Sequence, residues 1–227
     1  MFFTNNKINS LSTRIFKGLL TVGVISLVIK PTNLLQEIII ATKYGISSDL
    51  DAFFIALIVP VFGTTLASHT LNAAIIPTLV ETKIKSGETQ SQIFLSNSMF
   101  LLFSLSSIVV IFLYVNAQTI ISLFSSELDV QSYHLSIHFF KILIPIIFFG
   151  SISIAWSSIL NSENCYHIPA ISPGFRPLLV IFCILTLNTK FQLNALAYGF
   201  LAGYIAEFIF LGIFILRVTT YSLSGLD

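Results

Sequence analysis

Six apolar runs, each roughly 20 residues or longer and almost free of charge, constrain the fold of this chain more than any other feature. A helix of that length crosses the hydrocarbon core of a bilayer, which is about 30 Å thick. Because backbone groups in that core must be hydrogen-bonded internally, such runs favour helices. We therefore predict an all-α, polytopic membrane protein with about six transmembrane helices and a single domain, residues 1–227. The predicted spans are Leu19–Thr42, Ala52–Val80, Ile93–Val115, Ile142–Leu160, Ile168–Leu187 and Ala195–Leu216.

The composition supports this class and excludes others. Hydrophobic residues make up 55% of the chain and charged residues 9%, whereas soluble domains carry about 25% charged residues. A net charge of +1 offers no basic patch for a nucleic-acid backbone. There is no nucleophile motif, phosphate-binding glycine loop or pair of catalytic carboxylates, so we predict neither an enzyme nor a cofactor. His134 and His138 have the spacing of metal ligands on a helix but no third ligand nearby, and we predict no metal site.

The distribution of basic residues predicts the orientation. Cytoplasmic loops carry an excess of Lys and Arg. Seven basic residues fall on the side of the N-terminus and three on the other side, so we predict a cytoplasmic (inner) membrane protein with both termini in the cytoplasm. The first group is Lys7, Arg14, Lys17, Lys83, Lys85, Arg176 and Arg217, and the second is Lys43, Lys141 and Lys190.

A polar stripe runs along the first predicted span. Ser26, Lys30, Asn33 and Glu37 recur at spacings of four, three and four, which places them on one helix face, and Gln36 lies beside them. Charged side chains facing lipid cost several kcal/mol each, so this face is expected to look into a cavity or a partner helix. Two interpretations stay open, namely a substrate or ion path and structural pairing with neighbouring spans.

The second span carries a weaker polar pattern. Pro60 and Gly63 predict a break in the helix, and Thr65, His69 and Asn72 share a face after it. Helix breaks at membrane depth are tolerated where a cavity or neighbouring groups satisfy the freed carbonyls. His69 is a candidate proton carrier, although a lone histidine is more often a packing residue.

Two acids are candidates for coupling or gating. Asp51 begins the second span, where it favours the helix N-terminus through the dipole. Glu207 lies inside the sixth span, as a proton relay or as one half of a structural pair. It follows Ala195, Gly199 and Gly203, whose four-residue spacing predicts a close helix–helix contact.

Several short motifs resemble the lipid II flippase family (MurJ, formerly MviN) of the multidrug/oligosaccharidyl-lipid/polysaccharide exporter superfamily. The first helix ends in an acid followed by I-I-A-x-x-Y-G. A D-A-F-F-I-A segment and a proline follow in the second helix, then A-I-I-P. I-L-N and I-P-A-x-x-P occur between the fourth and fifth spans. In this sequence these residues are Glu37, Ile39–Gly45, Asp51–Ala56, Pro60, Ala74–Pro77, Ile159–Asn161, Ile168–Ala170 and Pro173.

The resemblance implies a fold, a function and a set of site residues. Family members have two six-helix lobes around a central cavity, and this chain looks like the N-terminal lobe without the C-terminal one. The implied function is translocation of a lipid-linked cell-envelope saccharide precursor, lipid II or a related polyprenyl-pyrophosphate saccharide. The expected site comprises Lys30, Asn33, Gln36 and Glu37 for the substrate, and Asp51, His69 and Glu207 for coupling or gating.

This sequence departs from the family pattern at two places. Gln36-Glu37 stands where the family usually has an Arg-Asp pair. Thr64-Thr65 stands where it has two arginines that are thought to meet the pyrophosphate of the lipid carrier. Lys30 occupies the position of an earlier first-helix arginine, and one lysine supplies a point charge rather than a bidentate fork.

The partners expected from these features are the lipid bilayer, a lipid-linked saccharide and a second lobe or partner chain. Two alternatives stay open. One is a cation-coupled drug exporter of the same superfamily, in which acids dominate the cavity. The other is a non-transporting fragment or assembly subunit that docks through Gly199 and Gly203.

Overall fold

The computed structural model describes residues 2–70, 76–125, 128–163 and 165–224. Side chains are described from Leu20 to Arg217, except at positions 68–76, 80, 126–127, 164 and 188. Within this part the chain forms ten α-helices and one short 3₁₀ turn, Ser172–Gly174. The helices are α1 (Phe2–Tyr44), α2 (Ser48–Thr70), α3 (Ile76–Ser86), α4 (Glu88–Val115), α5 (Ala117–Ser122), α6 (Val130–Leu143), α7 (Pro145–Ser162), α8 (His167–Ile171), α9 (Phe175–Phe191) and α10 (Asn194–Ser224).

Six stretches of the described chain are long and apolar enough to cross a membrane, which confirms the predicted all-α polytopic fold. The side chains of Lys7, Arg14 and Lys17 fall outside the described residues. The spans are Leu20–Tyr44, Ser48–Ala67, Glu88–Val115, Val130–Ser162, His167–Leu187 and Asn194–Arg217.

The fourth span begins earlier than the sequence predicted. It runs from Val130 rather than Ile142, because α6 continues into α7 with Pro145 at the first position of α7. Proline is well tolerated there, since its missing N–H needs no partner. This is also the most enclosed span, with 61% of its apolar window buried against 6% for α4. It therefore forms the centre of the helix bundle.

The break predicted within the second span is wrong. α2 ends at Thr70 and α3 begins at Ile76, with residues 71–75 outside the described part. α2 runs uninterrupted through Pro60 and Gly63. Gly63 serves packing instead, since a methyl group added to it would lie 3.1 Å from the Ile147 side chain on α7.

A tight turn joins α1 to α2. Gly45 adopts φ +60°, and its N–H donates to the Ala41 carbonyl at 3.0 Å, as in a helix C-cap that favours glycine. The Ser47 hydroxyl then accepts from the N–H of Leu50 at 3.3 Å, which satisfies a free donor at the start of α2. The Tyr-Gly motif thus reverses the chain at one edge of the membrane.

The D-A-F-F segment forms part of the core. Ala52, Phe53 and Ala56 are fully buried. The Phe53 ring lies 5.7 Å from Phe139 on α6 and 5.5 Å from Phe200 on α10, within the range of favourable aromatic pairs. This motif therefore joins three helices through packing.

The predicted small-residue contact is confirmed at the α9–α10 interface. Ala195, Gly199 and Gly203 are buried on the face of α10 that meets α9. A methyl group on Gly199 would lie 2.9 Å from the Val180 Cα, and one on Gly203 would lie 2.8 Å from the Arg176 Cα. Both distances are too short for a side chain, so the two backbones approach closely because these positions are glycine.

Candidate functional site

Helix α1 is held to the rest of the bundle at two levels. At its C-terminal end, the Tyr44 hydroxyl donates to the Gln192 carbonyl at 3.2 Å. Further into the membrane, the Ile29 side chain lies against Gly174 in the 3₁₀ turn, 3.4 Å from where a Cβ would stand. Ile40 is buried between these levels. Helix α1 is therefore attached to the bundle at its C-terminal end, through Tyr44, and along one face, through Ile29.

The polar stripe of α1 is not used in these contacts. Lys30, Asn33 and Glu37 are exposed and Gln36 is half-buried. Neither Lys30 nor Glu37 forms an ion pair with another described residue. They are about 10 Å apart along the helix axis, which is too far for a direct pair. Lys30, Asn33 and Glu37 thus share an exposed surface at membrane depth, and the half-buried Gln36 lies at its edge.

A groove of about 410 Å³ lies along a different face of α1, between this helix and the segment that joins α8 to α9. The Thr32 hydroxyl, its one side-chain polar group, already donates to the Val28 carbonyl at 3.1 Å. The groove therefore suits hydrocarbon rather than a polar cargo. Its lining consists of Val24, Ile25, Val28, Ile29, Thr32, Ile171, Gly174, Phe175 and Leu178.

The candidate groups on α2 are separate from the stripe. Asp51 is exposed in the first turn of α2, where its charge complements the helix dipole. Thr64 is buried and Thr65 is exposed, and the hydroxyls of both donate to the Val61 carbonyl. The side chain of His69 and all of Asn72 lie outside the described residues.

Glu207 has a partner that the sequence did not predict. It is 3% exposed, and Arg176 Nε donates to its Oε2 atom. The Ser172 hydroxyl lies 3.2 Å from Oε1 and also 3.2 Å from the Pro169 carbonyl, so its single hydrogen is shared between these two acceptors. Arg176 Nη1 also donates to the Tyr204 hydroxyl at 3.3 Å, with the guanidinium carbon 4.1 Å from the centre of the Tyr204 ring. Glu207 thus forms an ion pair inside the bundle, and its expected role in coupling or gating stays a prediction.

The position of Arg176 corrects one step of the orientation argument. We counted it among cytoplasmic loop charges, but it lies inside the span His167–Leu187. Lys141 is removed by the same argument, because it lies inside the span Val130–Ser162, so six basic residues oppose two and the bias keeps its direction. The sequence contained a signal for the Arg176–Glu207 pair. Arg176 lies within the predicted span Ile168–Leu187, and an acid inside the membrane, such as Glu207, needs a cation as its partner.

The histidine pair on α6 has no metal-binding surroundings. His138 Nε2 lies 3.0 Å from Asn194 Oδ1 on α10. Across the described ranges, no three His, Cys, Asp or Glu side chains come close enough to hold a metal ion. His138 thus links α6 to the start of α10.

Comparison with known proteins identifies the family. The family model described as "Lipid II flippase MurJ" matches residues 40–222. The chain belongs to this family. The match covers the D-A-F-F segment and the I-L-N and I-P-A motifs, so the resemblance seen in the sequence is confirmed, and six spans make it a multi-pass protein of the inner membrane.

Individual MurJ relatives agree with this assignment. The probable lipid II flippase MurJ of Buchnera aphidicola subsp. Acyrthosiphon pisum is 28% identical over 201 residues, which are 86% of this chain and 39% of the relative. For the lipid II flippase MurJ of Burkholderia cenocepacia the identity is 26% with the same coverage. For that of Thermosipho africanus it is 31% over 178 residues, 78% of this chain and 36% of the relative.

A solved structure supports the same fold. Lipid II flippase MurJ in an inward closed conformation superposes with a TM-score of 0.73 at 25% identity, over 83% of this chain and 40% of that one. The chain therefore spans about two fifths of the length of the MurJ proteins that it matches.

Proposed function

We propose that this chain forms one lobe of a MurJ-type flippase that moves a lipid-linked cell-envelope saccharide, lipid II or a related polyprenyl-pyrophosphate saccharide, across the cytoplasmic membrane. The single observation that carries this proposal is the exposed polar stripe on α1, in a chain of the MurJ family. A second lobe or partner chain would face the stripe and complete the cavity. Alternating access needs two such bodies rocking around one site.

Lys30 is the proposed contact for the pyrophosphate. It lies about 15 Å from the Leu20 end of its span and about 21 Å from the Tyr44 end, so it is deep in the membrane. An ammonium group at that depth is costly against lipid but attractive to an anion in a water-filled cavity. Asn33 and Gln36, one and two turns away, would donate hydrogen bonds to phosphate or sugar oxygens.

Glu37, Asp51 and His69 are the proposed groups for coupling or gating. Glu37 is an exposed acid in the same stripe, and Asp51 is exposed at the start of α2. Their charges would respond to protons or cations as the cavity opens to either side. The step is transport, in which no covalent bond of the cargo changes. Both termini are proposed to lie in the cytoplasm, from the six-to-two bias of basic residues outside the spans or at their ends.

Binding of undecaprenyl pyrophosphate to the purified chain in nanodiscs tests the role of Lys30. We expect Lys30→Ala to weaken binding about tenfold, or about 1.4 kcal/mol, because a charge-assisted contact is lost. Lys43→Ala is the matched control, since Lys43 is an exposed lysine on the same helix, and its affinity should stay within about twofold. Equal losses in the two variants would refute a specific role for Lys30.

A cation-coupled drug exporter is the second candidate, favoured by the exposed carboxylate of Glu37. Complementation separates the two functions. A host depleted of its own lipid II flippase would receive this chain together with the remaining lobe of a MurJ relative. Growth that depends on Lys30 supports the flippase. If the host fails to grow but exports a cationic dye, and Glu37→Gln abolishes that export, the result supports the drug exporter.

A further inference from the structure

The Arg176–Glu207 pair lies deep inside the membrane. Glu207 is about 20 Å from the Asn194 end of its span and about 15 Å from the Arg217 end. At such a depth a charged carboxylate persists only where donors replace water. Glu207 is nearly completely buried, so those donors must come from the protein.

The donors come from two consecutive segments of the chain. Ser172, in the 3₁₀ turn, bonds one carboxylate oxygen, and Arg176, in the first turn of α9, bonds the other. Pro173 between them has no N–H, and the 3₁₀ turn interrupts the regular helical bonding of this span. The Glu207 carboxylate therefore bonds the Ser172–Arg176 corner to α10, in addition to the close backbone packing of Arg176 on Gly203 and the contact between the Phe175 and Phe210 rings at 4.9 Å.

The same corner supports α1. Gly174 contacts Ile29, the residue immediately before Lys30. On the other side of this contact, Val24 and Val28 are 54% and 67% exposed and line the open groove. Helix α1 also packs against α8 and α9, the two helices that flank this corner. The corner and its two neighbouring helices therefore support this turn of α1.

From these contacts we propose that Arg176 and Glu207 are a positioning pair, which fixes the Ser172–Arg176 corner and through it the turn of α1 that carries Lys30. Both carboxylate oxygens of Glu207 are engaged within the bundle, which assigns Glu207 to positioning rather than to coupling or gating. This proposal depends on the proposed function only for the role of Lys30 in binding.

Hydrogen exchange of the full chain in nanodiscs tests the positioning directly. We expect Glu207→Gln to speed amide exchange at least tenfold in residues 172–176 and 25–32, and to leave residues near Tyr44 and Gln192 unchanged. The matched control is Glu163→Gln, which removes the exposed ion pair with Lys83 at 2.9 Å and should leave both regions unchanged. If Glu207→Gln fails to fold, Glu207→Asp keeps the charge and should show a smaller increase. Unchanged exchange in a folded variant would overturn the proposal.

A double-mutant cycle distinguishes positioning from general damage to the fold. With Lys30 present, Glu207→Gln should weaken binding of undecaprenyl pyrophosphate at least threefold. With Lys30→Ala already made, it should cause no further loss, and additive losses would contradict the proposal. If Lys30→Ala alone has no effect, the proposed function fails, and the exchange experiment still decides whether the pair positions α1.

Discussion

Replacing Gly203 by alanine tests how closely α9 and α10 pack. The added methyl group would lie 2.8 Å from the Arg176 Cα and 3.2 Å from the Arg176 carbonyl oxygen. Backbone atoms cannot rotate away as a flexible side chain can. The two helices must therefore move apart by roughly half an ångström to restore normal contact distances.

The expected magnitude follows from two opposing effects. Overpacking of this kind costs about 1–3 kcal/mol. Alanine has a higher helix propensity than glycine and returns up to about 1 kcal/mol. We expect Gly203→Ala to lower the free energy of unfolding by about 1–2 kcal/mol, with weaker bonding between Arg176 and Glu207 as the helices separate.

Unfolding of the chain in mixed micelles, followed by circular dichroism, measures this change. Gly23→Ala on α1 is the control, because no described atom lies within 4 Å of the methyl group that it adds. It should leave stability unchanged or raise it by up to about 1 kcal/mol. If Gly203→Ala behaves like Gly23→Ala, the close approach of α9 and α10 is refuted.

Two further predictions concern packing and charge. Phe53→Ala should lower the free energy of unfolding by about 3–5 kcal/mol, because it leaves a cavity at a fully buried site. Phe54→Ala is the control and should lower it by about 1 kcal/mol or less, because that side chain is 45% exposed. Similar losses in the two variants would contradict the core role of Phe53. Glu163→Gln should cost less than about 1 kcal/mol, since Lys83 and Glu163 are about 40% exposed. The hydrogen bond from Lys83 to Glu163 is the main cause that raises the pKa of Lys83, so this contribution is present below the ordinary pKa of lysine and lost as pH rises through the higher folded-state value. Unfolding of both proteins between pH 7 and 12 should show a constant difference up to the ordinary pKa of lysine, 10.5, and a shrinking difference above it. A difference that grows with pH would refute this account.

Features of the fold that depend on local periodicity could be predicted from the sequence. Six apolar runs gave six spans, and the spacing of Ala195, Gly199 and Gly203 predicted a close contact that the structure confirms. The start of the fourth span at Val130 was missed, because Lys141 and several polar residues make α6 look like a loop. Those polar residues are tolerated because α6 packs against α2 and α10.

The part of the candidate site that depends on contacts between distant residues could not be predicted. The stripe on α1 follows from helical spacing alone. The pairing of Glu207 with Arg176 and Ser172 joins residues that are more than 30 positions apart in the sequence. A predicted helix break at Pro60 was wrong for a related reason, since the packing of Gly63 on Ile147 holds α2 in place.

The attachment of α1 by one flank and one end has a consequence for how such a chain diversifies. Ser26, Lys30, Asn33 and Glu37 share a face that is not needed to assemble the bundle, whereas Ile29 and Tyr44 secure the helix. Substitutions on that face change the polar groups that α1 presents to a cargo and leave the free energy of folding nearly unchanged. Gene duplication followed by drift along these few positions could therefore yield new specificities on an unaltered scaffold.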